Sequence, residues 1–236
     1  MRTNSFWGRW VLANAGGELA GLGTAALVAW IFIASRGVQE TLLQHILFAL
    51  ALIATGAFEG AVVGAAQAWA LRSRLPELPW WPWVRATILG ALAAWALGML
   101  PSTIMAAGAE SPGQPAAEPG AAVQYGLAAL LGAVAGPILA FFQWRVLRHH
   151  VAGAGGWLAA NAAAWALGMP LVFLAVDAAM AGASRAIQVA TTVALLTAAG
   201  AVVGAVHGLW LVWRLHPSPA GLIANAIPTR SGKSWT

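Results

Sequence analysis

Of the 236 residues, 60% are hydrophobic and 8% are charged, with a formal net charge of +5. A soluble domain carries about 25% charged residues to face water, so this chain cannot cover a globule with polar groups and its outer surface must face lipid. The absence of cysteine excludes disulfides and thiolate metal sites, and the basic residues lie between apolar runs with no stripe, which argues against nucleic acid as a partner.

Crossing roughly 30 Å of hydrocarbon as a helix takes about 20 apolar residues. The first run that long, Trp10–Ala34, follows Arg2 and Arg9 in the manner of a secretory signal. At about 25 residues it exceeds the roughly 7–15 of a signal core, and it contains Glu18, so a retained helix is expected. Further spans are expected at Leu42–Leu71, Val84–Ala107, Ala121–Leu147, Trp157–Ala181 and Ala186–Leu215. Between the third and fourth lies Ala109–Gly120, whose prolines and polarity predict a connecting linker. After residue 216 the prolines, Ser, Gly and Lys of 217–236 predict an extended cytoplasmic tail. A closed β-barrel is the other structure that can span a bilayer, but it needs short alternating segments, whereas these are long and rich in Ala and Leu. The expected class is an all-α, polytopic membrane protein with one transmembrane domain, residues 1–216.

Loop charge predicts the orientation. Arg2, Arg9, Arg72, Arg74, Arg85, Arg145, Arg148, Arg214, Arg230 and Lys233 fall on one side of these spans, against Arg36 and Arg185 on the other, which also carries Glu40, Glu110 and Glu118. The positive-inside rule then puts both termini in the cytoplasm. Trp7, Trp10, Trp80, Trp81, Trp83, Trp157, Trp210 and Trp213 fall near the expected inner interface, where indoles concentrate.

The chain also repeats itself. Trp10-Val-Leu-Ala-Asn14, Trp83-Val-Arg-Ala-Thr87 and Trp157-Leu-Ala-Ala-Asn161 open alternate spans. The spans that follow carry Gly60-Ala-Val-Val-Gly64-Ala-Ala-Gln67, Gly136-Pro-Ile-Leu-Ala140-Phe-Phe-Gln143 and Gly200-Ala-Val-Val-Gly204-Ala-Val-His207. A fixed period of about 70–75 residues marks a duplicated unit, here about 7–74, 80–150 and 155–216. Each unit is two spans, so all copies enter the membrane in the same direction. The even spans place small residues four apart: Gly56, Gly60 and Gly64; Gly132, Gly136 and Ala140; Gly200, Gly204 and Gly208. Such rows lie on one helix face and let backbones approach closely. The simplest expected packing is an inner trimer of even helices about a pseudo-threefold axis, with odd helices outside. Pro101, Pro137 and Pro170 are expected to kink or loosen their helices.

The phrases Gly136-xxx-Ala140-xx-Gln143-Trp-xx-Leu-Arg148 and Trp157-xx-Ala-Asn161-xxx-Trp165-Ala-Leu-Gly168 resemble those of a group of uncharacterised multi-pass bacterial membrane proteins. The resemblance implies a bacterial inner-membrane protein and transfers no activity.

Gln67, Gln143 and His207 hold the same place in the three units, and Asn14, Thr87 and Asn161 should lie at similar depth on the odd helices. One reading is a ring of interhelical hydrogen bonds; the other is a site for a solute or pigment. His207, beside a glycine row, is the candidate ligand for a metal-bearing macrocycle, and no cofactor is otherwise indicated. Glu18 and Glu59 stand well inside their spans, where an ionisable group is a functional hypothesis by default. Neither shares the threefold pattern: Glu59 aligns with Ala135 and Ala199, Glu18 with Ala91 and Trp165. The structural alternative is a neutral carboxyl bonded to a neighbouring helix. Catalytic motifs such as Gly-x-Ser-x-Gly, His-Glu-x-x-His or a phosphate loop do not occur, so an enzyme is not expected. The expected role is a structural or accessory subunit of a larger membrane assembly, or a self-associating one. In that role Trp30, Trp95 and Trp165 would contact partner helices, lipid or pigment. The alternative is a small-solute or proton-coupled transporter using Glu18 and Glu59.

Overall fold

The computed structural model describes residues 3–37, 41–108 and 120–215. Its elements are six helices: α1 (Thr3–Arg36), α2 (Leu42–Leu71), α3 (Trp80–Gly108), α4 (Ala121–Leu147), α5 (Gly156–Met180) and α6 (Arg185–Arg214). Each is long and apolar enough to cross a membrane, and the chain is an integral membrane protein of the multi-pass class. The linker residues 109–119 and the tail 217–236 lie outside the described residues, as do Arg2, Glu40, Glu110, Glu118, His216, Arg230 and Lys233.

Local chemistry sets several helix ends. Gly37, at φ +76°, ends α1 in a left-handed conformation that only glycine adopts cheaply. Thr41 and Gln44 then cap α2 reciprocally, each side chain accepting from the other's backbone N–H. Gly153, at φ +65°, turns the chain into α5, and its carbonyl accepts from the Arg214 guanidinium at 3.3 Å. α1 begins well before Trp10 because Phe6 is fully buried and the Trp7 indole donates to the Ala205 carbonyl at 3.2 Å. α3, α4 and α5 each continue through their proline, Pro101, Pro137 and Pro170, although a proline removes one backbone donor.

The helices form a closed ring. Each packs against its neighbours in sequence, and α6 packs against α1. The end where α2 meets α3 and α4 meets α5, beside the start of α1, is called the terminal end here; the opposite end is the distal end.

The glycine rows do not face one another, as an inner trimer of even helices requires. Each is presented to the next odd helix. A Cβ on Gly60 would lie 2.6 Å from the Ile88 Cα, and one on Gly64 would lie 3.1 Å from the Val84 Cα, both on α3. Gly132 and Gly136 lie against the backbone carbonyls of Trp165 and Asn161 on α5. On α6, Gly200 would bring a Cβ within 2.9 Å of the Ala15 Cα, and Gly208 within 2.6 Å of the Trp10 ring. Glycine is needed here because ordinary carbon contacts are about 3.5–4 Å. The remaining seams use small residues of the odd helices, which the sequence reading did not single out. Gly17 and Gly21 seat Val63 and Glu59 of α2, Gly90 seats the Leu139 backbone of α4, and Gly168 seats Val203 of α6. Close approach on both faces of each helix produces a ring in place of a central trimer.

Candidate functional site

Two layers of chemistry occupy the ring. The first, toward the terminal end, gathers Trp10, Trp83 and Trp157, all with zero exposure. These indoles were expected in an interfacial belt, but they fill the core. The ring centroids of Trp10 and Trp157 are 6.2 Å apart, and those of Trp83 and Trp157 are 6.3 Å apart. Trp80, Trp81 and Trp213 are the exposed members of the expected belt.

Buried indole and amide groups require partners, and nearly all of them have one. Asn14, Thr87 and Asn161 each donate to the carbonyl four residues earlier, at Trp10, Trp83 and Trp157, at 2.7, 3.0 and 2.9 Å. Trp10 donates to His207 Nδ1 at 2.9 Å, and Trp157 to Gln143 Oε1 at 3.0 Å. Gln143 donates in turn to Gln67 Oε1 and Thr87 Oγ1, both at 3.0 Å, while Gln67 donates to Asn14 Oδ1 at 2.8 Å. The network touches all six helices. Trp83 Nε1 is buried without a hydrogen-bond partner. Its counterpart on α2, Gln67, has its oxygen taken by Gln143. Asn161, expected among the interhelical bonds, donates instead to the Trp157 carbonyl of its own helix.

His207 is part of this packed layer. Its ring centroid lies 5.5 Å from Trp10 and 5.1 Å from Trp157, and the glycine row beside it is filled by Trp10, Val11 and Asn14. Space for a flat macrocycle, inferred from those glycines, is therefore occupied. Accepting from Trp10 through Nδ1 leaves Nε2 to carry the ring proton of a neutral imidazole. Among the described residues, no three His, Cys, Asp or Glu side chains group around a shared metal position.

The second layer begins two helical turns, about 12 Å, from Gln67 toward the distal end. Glu59 is buried on α2, where Oε2 accepts from the Trp95 indole at 2.7 Å. Its side chain lies against Gly21 of α1. Glu18, three residues before Gly21, is also buried, and its Oε2 has no hydrogen-bond partner. The two carboxyls are close enough to interact electrostatically. Two negative charges buried near one another would repel in a low-dielectric interior. The sequence separates these residues widely. The ring brings them near one another, Glu59 packing on Gly21 at the α1–α2 seam and the Glu18 Cβ on Gly200 at the α1–α6 seam. Their counterparts in the repeat are Ala91 and Ala135 in one unit and Trp165 and Ala199 in the other.

Beyond this pair the ring opens into a cavity of about 620 Å³. Every helix contributes to its wall, through Leu22, Leu52, Trp95, Leu131, Trp165 and Leu196 in chain order. Glu59 lines it toward the terminal end, and Gln124 and Asp177 line it near the distal end. There Asp177 accepts from Tyr125 at 2.7 Å and from Gln124 at 3.3 Å, tying α4 to α5. Trp95 and Trp165, expected to face partners or lipid, face this cavity instead; Trp30 is exposed. Trp95 as the partner of Glu59 was not foreseen. Its four-residue offset from Trp165 in the repeat was the available signal.

The chain matches no protein-family model, no curated protein and no solved structure.

Proposed function

We propose that the protein is a proton-coupled membrane transporter for a largely apolar molecule, held in the distal cavity and closed off from the terminal end by the tryptophan–amide layer. The observation that carries this reading is an apolar cavity of about 620 Å³ with the buried Glu59 in its wall and a second buried carboxyl, Glu18, nearby. An intramembrane carboxyl facing a cavity is the usual equipment of a proton relay. The apolar wall binds substrate and the carboxyl pair carries the coupling proton. Infrared difference spectroscopy across a pH step tests this: wild type should show a titrating buried carboxyl band that Glu59→Gln diminishes, with fold intact. An unchanged band in that variant removes Glu59 from the mechanism.

The ring itself is proposed to be pseudo-threefold. Supporting this are the equivalent backbone bonds of Asn14, Thr87 and Asn161 and the glycine rows that each face the next odd helix. The terminal end is proposed to face the cytoplasm of a bacterial inner membrane, since Arg72, Arg74, Arg85, Arg145, Arg148 and Arg214 lie there, against Arg36 and Arg185 at the distal end. A second reading, an accessory subunit, is favoured by the outward Trp30, Trp69, Trp80, Trp81 and Trp213. Copurification of a stoichiometric membrane partner from mild detergent supports that reading; a solitary particle counts against it.

A further inference from the structure

The lipid-facing surface carries a groove of about 390 Å³ between α1 and α6. Leu19, Leu27, Val189 and Val193 line it, and a Cβ on Gly23 would meet nothing within 4 Å. The groove adjoins the central cavity: Ala26, Trp30, Ala179, Thr192 and Leu196 line both and form the wall between them. Its polar residues are Arg185, Gln188 and Thr192. Arg185 is the first residue of α6, and its guanidinium lies over the Trp30 ring at 5.7 Å.

We propose that the α1–α6 seam is a lateral portal, and that the molecule passing through it is an anionic phospholipid-like amphiphile drawn from the distal leaflet. The phosphate sits on Arg185 and the free backbone N–H groups at the start of α6, and the acyl chain runs along the groove and past Trp30 into the cavity. Charge complementarity selects this occupant. A guanidinium at a helix N-terminus matches a phosphate, and basic pockets between membrane helices bind anionic headgroups. Below Arg185 the groove wall is mainly hydrocarbon, with Gln188 and Thr192 as its polar exceptions, which suits an acyl chain better than a water-borne solute. This assignment rests on the cavity being a ligand site, and it adds the route and the substrate class.

The test uses the full chain in phosphatidylcholine nanodiscs with two photoreactive probes. One is a small uncharged aryl diazirine. The other is phosphatidylglycerol with a diazirine midway along one acyl chain, compared with phosphatidylcholine carrying the same label. The labelled phosphatidylglycerol should mark the cavity residues Leu131 and Phe173 as well as Leu27 and Val193 in the groove. Ala26→Trp should block the cavity labelling while leaving the lipid-facing Leu12 and Leu209 labelled. Gly23→Leu, which fills open space, should do the same if the larger substitution misfolds. Arg185→Gln should reduce cavity labelling by phosphatidylglycerol about fivefold, the weight of one cation near an anionic head, and leave phosphatidylcholine labelling unchanged. If the aryl diazirine marks the cavity but the lipid does not, the portal falls and the cavity site stands. If neither marks it, both fall. Equal cavity labelling by the two lipids in wild type overturns the anionic selection, and cavity labelling that survives both blocking variants overturns the route.

Discussion

Gln143 and Asn161 look alike in the sequence, each a buried amide at a recurring position, yet the structure predicts different costs for removing them. Gln143 makes three interhelical bonds, to Gln67, Thr87 and Trp157, each at 3.0 Å. Asn161 bonds to the Trp157 carbonyl of its own helix. Interhelical side-chain bonds in membrane proteins average about 0.6 kcal/mol, so Gln143→Leu should cost about 2 kcal/mol, increased by leaving the Trp157 indole N–H buried without an acceptor. Asn161→Ala removes no interhelical bond and should cost no more than about 1 kcal/mol, mostly for the small void it leaves. The assay is equilibrium unfolding in mixed micelles by SDS titration, followed by tryptophan fluorescence, with Gln143→Leu expected to shift the midpoint further. Equal shifts, or a larger one for Asn161→Ala, would refute the claim that the hydrogen-bonded layer holds the helices together.

Three further outcomes are expected. Gly60→Ala pushes a methyl to 2.6 Å from the Ile88 Cα and should destabilise by about 1–3 kcal/mol, while Gly98→Ala, with nothing within 4 Å, should be neutral or slightly stabilising in the same titration. Trp157→Phe should cost more than Trp83→Phe by about 1 kcal/mol, because the Trp157 N–H is bonded and the Trp83 N–H is not; equal costs would show that the indoles act by volume alone. Glu59→Gln keeps an acceptor for Trp95 and should cost less than Glu59→Leu by about 1 kcal/mol, and only the Leu variant should lose that bond and change the Trp95 fluorescence.

Much of this fold can be read from the sequence, because membrane spans are a matter of length and apolarity. Leu42–Leu71 and Ala121–Leu147 coincide with α2 and α4. The partners of the glycine rows could not be read in the same way. A row such as Gly56, Gly60 and Gly64 says that some backbone comes close, but not whether it belongs to another even helix or to the next odd one. Gly17, Gly90 and Gly168 held the deciding information, yet single glycines in Ala-rich helices give no periodic signal. The polar layer was legible as a set of positions, while its bonding depended on rotamers: the Gln67 oxygen accepts from Gln143 and leaves Trp83 unpaired. Glu18 and Glu59 stood out singly as costly residues, but their proximity required the packing of α1 between α2 and α6, and the cavity beside Glu59 exists only in three dimensions.

The layer of Trp10, Trp83 and Trp157 has an electrical consequence. A transmembrane voltage falls mainly across the thinnest stretch of dry, low-dielectric material between two aqueous phases. If water follows ligand into the distal cavity, that stretch shrinks to the indole and amide layer, and Glu59 lies on its distal side. A proton reaching Glu59 from the distal side would then cross little of the field, and one continuing to the terminal end would cross most of it, at about 2.3 kcal/mol per 100 mV for the full drop. The tryptophan layer is thus placed to act as the insulator of the molecule, and membrane potential should bear on passage through it far more than on filling the cavity.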